Sequence, residues 1–248
     1  MVINSPQVYL PPDANCFLST IHHCLKSRNK TNLVIGSKQP TAVYLSPAEA
    51  ADHCRQGASI WHFASSSAPE QDPDVVLAGI GVEVTFETVK AAELLRTLAP
   101  SLRVRVVNVT DLMILAPESK HPHALSEAKF EELFTRDRPV LFNYHGYPTE
   151  LQGLLFGRPG TGRMSVAGYM EEGSTTTPFD MMLVNGVSRF DLATRALRAA
   201  AEGGDKEERE GVVREVERRV GEVRKFIGEH GKGEFIFKLV VSLVCDGS

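Results

Sequence analysis

Four apolar runs rich in Val and Ile recur along the chain, each separated from the next by a segment with helical character. They are "NLVIG" (Asn32 to Gly36), "DVVLAGI" (Asp74 to Ile80), "LRVRVVNV" (Leu102 to Val109) and "PVLFNY" (Pro139 to Tyr144). Strands this apolar are buried on both faces, which is the habit of parallel sheets rather than of one-sided antiparallel ones. Every gap between them exceeds the ~10–12 residues that a parallel crossover needs. The expectation is an α/β fold: a mostly parallel sheet with helices on both faces. Its strand cores are expected at Leu33–Ile35, Val75–Ala78, Val104–Val107 and Val140–Phe142, all in one sheet. "MSVAGY" (Met164 to Tyr169) is a shorter, later candidate strand.

The intervening segments carry helix start and stop signals. Ser46-Pro47-Ala48-Glu49 has the form of a capping box with proline at the first helical position, and Gly57 can close that helix. "EVTFETVKAAELLRTLAP" places Val84, Thr88, Ala91, Leu95 and Leu98 on one face before Pro100 stops it. Ser126 can cap the helix that precedes the fourth strand. Near the end, "GGDKEEREGVVREVERRVGEVRKFIGEHGKG" is about half charged, with Val212, Val216, Val220 and Val223 as a narrow apolar stripe. Glu210–Arg214 and Glu215–Arg219 pairs at helical spacing support a solvated helix docked along that stripe.

Charge and cysteine usage narrow the function classes. Lys+Arg 27 against Asp+Glu 31 leaves a net charge of −4, so no basic surface calls for nucleic acid. Cys16, Cys24, Cys54 and Cys245 show neither a CxxC nor a His-paired zinc spacing. The start "MVINSPQVYLPPD" lacks the basic and apolar regions of a secretory signal, so reduced thiols and a cytoplasmic location are the expectation. The apolar tail segment Phe235 to Val244 contains Lys238 and is too short to span a bilayer, so no membrane partner is expected.

In parallel sheets, ligands meet the carboxyl ends of the strands. "GSKQP", "GIGVE", "NVTDL" and "YHGYP" follow the four runs and are expected on that edge. "GIGVEV" lacks the third glycine of a dinucleotide turn. Lys38 in "SKQP" can offer an ammonium to a phosphate there, with a merely solvated loop lysine as the alternative. His22, His23 and His53 lie in helical runs and read as surface or packed residues. His121 and His123, two apart across Pro122, are likewise expected to be structural, so no metal ligand is assigned. In "NYHGYP", the local reading is a well-made turn: Gly146 supplies a permissive backbone, Tyr147 packs, and Pro148 starts the next helix.

Taken in order, "VYLPPDANCFLSTIHHCLKSRN", "SKQP", "NYHGYPTELQGLLF", "GYMEEGSTTTPFDMMLVN" and "KFIGEHG" resemble the C-terminal part of phosphoketolases. The likeness runs from about Val8 to about Gly231. The resemblance implies a fold similar to the C-terminal domain of transketolase. It implies an enzyme dependent on thiamine diphosphate and magnesium that splits xylulose 5-phosphate or fructose 6-phosphate with phosphate. The products would be acetyl phosphate, a shorter aldose phosphate and water, and the full-length enzyme would be a homo-oligomer. The family binds its cofactor in upstream domains that this chain does not contain, so the chain alone is expected to bind no cofactor and to lack catalysis.

Residue by residue, Lys38 matches the family lysine that binds phosphate at the active-site mouth, and Gln39 is its weaker neighbour. No catalytic residue carries over: His145, Gly146 and Tyr147 form a signature loop without an assigned role. Met170 and Ala167 stand where the family often has basic residues. The resemblance divides the chain into a lead-in with the first helix (1–30), the α/β domain (31–204), the charged helix (205–231) and an atypical apolar tail (232–248). That tail is expected to be poorly packed. The alternative is a free-standing regulatory or binding module, for phosphorylated metabolites or for a full-length paralogue.

Overall fold

The computed structural model describes residues 6–68, 71–171, 176–200 and 206–230. In chain order the strands are β1 (Gln7–Tyr9), β2 (Asn32–Val34), β3 (Ala58–Ile60), β4 (Val75–Ile80), β5 (Val104–Val109), β6 (Val140–Tyr144) and β7 (Met164–Gly168). The helices are α1 (Ala14–Lys26), α2 (Pro47–Gln56), α3 (Val82–Leu98), α4 (Glu127–Phe134), α5 (Pro148–Leu155), α6 (Pro178–Val184), α7 (Arg189–Ala200) and α8 (Lys206–His230). A five-stranded sheet of order β3-β5-β4-β6-β7 carries the core. All its neighbours are parallel except β3, which runs antiparallel to β5.

One expected strand is elsewhere. The run Leu33–Ile35 does not join the other three: β2 pairs in parallel with β1 alone, Gln7 opposite Asn32 and Tyr9 opposite Val34. Burial explains the difference. Leu33 is 53% exposed, so this run lacks the two covered faces of an inner parallel strand. The place beside β5 goes to β3, whose three residues are too few to stand out in the sequence. The small sheet is moored to the large one where the Leu10 N–H donates to the Thr110 carbonyl at 2.8 Å.

Alternation across the main sheet builds two apolar layers. Val75, Leu77, Val104, Val106 and Leu141 pack with Ala91 and Leu95 of α3 and Leu192 and Ala196 of α7. On the other face, Val76, Ala78, Val140 and Phe142 pack with Phe130 and Phe134 of α4 and Leu151 and Leu155 of α5. Each Val, Leu or Phe among them contributes about 1.5–3 kcal/mol on full burial. Val213, Val216 and Val223 lay α8 along the first layer. The Glu215–Arg219 pair forms at 2.8 Å, with Arg218 joining the same carboxylate. The apolar tail lies outside the described residues.

Polar groups pin these layers where burial would otherwise be costly. One carboxylate oxygen of Asp13 accepts the Cys16 N–H at 2.8 Å and so caps α1; the other accepts from Tyr44 and Leu45 at 2.9 and 3.1 Å. Ser46 and Glu49 form the capping box of α2. Glu87 and Arg189 join α3 to α7 through a buried two-pronged ion pair at 2.7 and 2.9 Å. The Arg158 guanidinium donates to the carbonyls of Ile114, Leu115, Ala116 and Leu125. His53 is packed, with Nδ1 2.7 Å from Ser59 Oγ and Nε2 2.9 Å from Asn108 Oδ1. Burial holds its pKa down at about 4, so the ring stays neutral.

Candidate functional site

The parallel strands deliver their carboxyl ends to one edge, and the ladder continues past them. The His145 N–H donates to the Ile80 carbonyl at 2.9 Å, and the Tyr169 N–H to the Tyr144 carbonyl at 2.8 Å. This draws the loops after β4, β6 and β7 together. Two glycines permit the approach. Gly81 has φ +110°, and a Cβ there would lie 2.5 Å from His145 Cβ. A Cβ on Gly168 would lie 2.2 Å from the Gly146 carbonyl oxygen.

At the centre stands Glu83, in the first turn of α3. Its Oε2 lies 3.0 Å from His145 Nδ1, and both side chains are about a third exposed (33% and 30%). Burial alone would raise the Glu83 carboxyl. Hydrogen bonds from His145 and from the Ser37 hydroxyl outweigh it and bring the pKa down to about 2. A carboxylate also suits the positive end of a helix. The Tyr169 ring meets the His145 ring edge-on at 5.0 Å. Its hydroxyl donates to Glu171 at 3.1 Å, and burial followed by that carboxylate pushes its pKa up to about 12. Asn185 holds the Met170 backbone by both its N–H and its carbonyl, each at 3.1 Å.

Ser37 links this cluster to the "SKQP" loop. Its hydroxyl helps hold the Glu83 carboxyl ionised and accepts the Gln39 N–H at 3.1 Å. Lys38 stands between Ser37 and Gln39, exposed, with no hydrogen bond or ion pair among the described residues. Gln39 is exposed as well. The arrangement presents an ammonium to solvent from a backbone anchored at both flanks, which suits recognition of an anion.

Other expectations need correction. Tyr147 does not pack; it is 48% exposed, at the residue preceding Pro148. Gly146 is required by close approach rather than by backbone freedom, since a Cβ there would meet the Tyr144 ring at 2.6 Å. His121 and His123 have structural partners, as expected: His123 Nδ1 lies 2.9 Å from Asp111, and the His123 backbone N–H donates to the His121 ring. Among the described residues no group of three or more His, Cys, Asp or Glu is placed to hold a metal ion. Glu83, Ser37 and Tyr169 have no motif that marks them individually as site residues. The sequence signal for Glu83 is an acidic residue two positions after the glycine that separates β4 from α3.

Comparison with known proteins places the chain. The XFP C-terminal domain model matches residues 38–236. A probable phosphoketolase of Schizosaccharomyces pombe is 55% identical over 194 residues, 78% of this chain and 23% of that protein. The chain spans about a quarter of the length of the curated relatives it matches. Among solved structures, transketolase from Leishmania mexicana superposes with a TM-score of 0.55 at 15% identity, covering 81% of this chain and 26% of that one. A split-gene transketolase, an inactive beta4 tetramer, gives a TM-score of 0.53 at 16% identity, covering 81% and 59%. At these identities the structural likeness shows the fold alone.

Proposed function

We propose, from the premise that this chain belongs to the phosphoketolases through its XFP C-terminal domain, that it serves as the non-catalytic end of such an enzyme. In this reading it helps form the dimer and the mouth through which a sugar phosphate enters, and it carries no catalysis alone. The full enzyme splits xylulose 5-phosphate or fructose 6-phosphate with phosphate to give acetyl phosphate. Thiamine diphosphate, held with magnesium by the other domains, supplies the electron sink.

The observation that carries the reading is the junction at Ser37. Three stretches of the family signature, "SKQP", "HGYP" and "GYMEEG", meet through Ser37, Glu83, His145 and Tyr169. Lys38 contributes the charge that binds phosphate, and the Glu83–His145 pair holds the loop that carries it. Ser37 fixes the loop's start, so little backbone entropy is lost when an anion arrives. Gln39 supports the same contact more weakly.

The test joins this chain to the remaining domains of the Schizosaccharomyces pombe relative. Lys38→Ala should raise the KM for phosphate or sugar phosphate by an amount equivalent to about 1–3 kcal/mol, with the melting temperature unchanged. Unchanged kinetics would reject the assignment. The isolated chain should yield no acetyl phosphate from fructose 6-phosphate and phosphate; detectable product would reject that part.

A second reading draws on the split-gene transketolase, 59% of whose chain this one covers. It makes this polypeptide a separate subunit that associates with a full-length paralogue. Co-purification of such a paralogue with the tagged chain, at fixed stoichiometry, would favour it.

A further inference from the structure

β1, α1 and β2 stand apart from the rest of the fold. The XFP C-terminal domain match begins at Lys38, so all three elements precede it. They form a strand–helix–strand unit whose two parallel strands make a sheet of their own. Two strands are too few for independent stability, and parallel sheets are normally covered on both faces. This unit is anchored on one side only. Cys16 and Thr20 of α1 are buried against α2, where the Cys54 thiol donates to the Cys16 carbonyl at 3.5 Å and accepts from the Thr20 hydroxyl at 3.7 Å. The Leu10–Thr110 bond holds the outer edge of β1.

The remaining sides are open. On the face of α1 opposite Cys16, Leu18 is 66% and Leu25 82% exposed. Tyr9 and its register partner Val34 lie on the α1 side of the small sheet, where the Tyr9 ring meets His23. By alternation Leu33 lies on the reverse face, and it too is more than half exposed. The edge of β2 is open as well. The Thr31 carbonyl accepts the Gln7 N–H and the Ile35 N–H donates to the Tyr9 carbonyl, both at 2.9 Å. Asn32 and Val34 therefore turn their N–H and C=O groups away from β1. No strand pairs with that edge among the described residues. An open edge between two exposed apolar faces is what an inner strand of a parallel sheet presents when its neighbours are absent.

The length of the relatives supplies the occupant. This chain spans about a quarter of them, and its match is to their C-terminal domain, so most of their polypeptide precedes it. We infer that β1–α1–β2 completes the parallel sheet of that preceding part: one of its strands adds to the outer edge of β2, and its apolar side chains cover Leu33 and the Leu18–Leu25 face. Main-chain pairing and apolar burial together provide the recognition. The inference rests on membership of the phosphoketolases and not on the role proposed for Lys38.

The experiment compares hydrogen exchange in the full chain alone with exchange in the same chain joined to the remaining domains of the Schizosaccharomyces pombe relative. Joining should slow the Asn32 and Val34 amides by about a hundredfold or more, a change that the α4 amides do not share. Coexpression of the two pieces as separate polypeptides gives the same readout if the joined protein does not fold. Leu25→Lys with Leu33→Lys should leave the melting temperature of the chain alone unchanged, and in the joined protein it should abolish the added protection. Leu33→Lys by itself serves if the double variant does not fold. Lys38→Ala should keep the protection, so the phosphate role and this interface fail separately. Equal exchange in both contexts, or protection that survives both lysines, overturns the proposal. A lowered melting temperature of the variant chain alone would place the two leucines in this domain's own packing and overturn it too. Protection that appears in the chain alone as its concentration rises, with a dimer in sedimentation, assigns the edge to a second copy and overturns it equally.

Discussion

The same substitution, glycine to alanine, should have opposite effects at two positions of this domain. At Gly168, the last residue of β7, the new Cβ would stand 2.2 Å from the Gly146 carbonyl oxygen and 2.6 and 2.8 Å from the Pro148 ring. Comfortable carbon–oxygen contact begins near ~3.3 Å, so about 1 Å must be found. The obstacles are a backbone carbonyl and a prolyl ring, not the end of a flexible side chain. Overpacking of this kind costs about 1–3 kcal/mol, and rigid neighbours put Gly168→Ala at the upper end. Gly153, inside α5, has nothing within 4 Å of its added Cβ. There the change removes glycine's unfolded-state entropy and should stabilise by about 0.5–1 kcal/mol. Urea unfolding of the two variants against the unaltered chain reads both values. Pushing β7 away should also loosen the His145–Tyr169 ring contact, visible in the aromatic proton shifts. A loss below about 1 kcal/mol at Gly168, or the same sign at both positions, would refute the claim that close approach fixes this glycine.

Two pH windows should separate. His53 is buried with its pKa depressed to about 4, so its contribution is present above about pH 6.5 and is lost as pH falls toward 4. The depression corresponds to about 3 kcal/mol; urea midpoints stepped through that range should fall, and a flat profile would contradict the neutral buried ring. Glu83 is depressed to about 2, so its contribution is present above about pH 4.5 and is lost as pH falls through 2. Its exposure calls for a discount for screening. Glu83→Gln should flatten only the lower window in acid-titration circular dichroism, and an unchanged acid limb would argue against the Glu83–His145 pair.

What could be read from the sequence was local. Ser46, Ser126 and Pro148 mark helix starts because capping is settled within one turn. The runs that became β4, β5 and β6 were visible because both faces of each are buried. β2 went to the wrong sheet because its partner β1 is three residues long and lies beyond an intervening helix, where periodicity carries no information. The candidate site divides in the same way. Lys38 and His145 sit in recognisable motifs, whereas Ser37, Glu83 and Tyr169 acquire meaning only from side-chain contacts between distant segments. Tyr147 looked like a packing residue by type, yet its place before the Pro148 helix turns it outward.

The arrangement of α8 has a consequence for how the molecule opens. α7 is tied to α3 by the buried Glu87–Arg189 pair, whereas α8 rests chiefly on α7, and many of its ion pairs are internal to itself. Hydrogen exchange should therefore resolve two cooperative units: α7 amides exchanging with the sheet near the global free energy, and α8 amides exchanging earlier in a separate local event. Through Val220 and Gly221, α8 also forms one wall of a cavity whose opposite side is Phe190 and Thr194 of α7; that early event removes the wall, and the protection of Lys206–His230 reports how often the cavity exists.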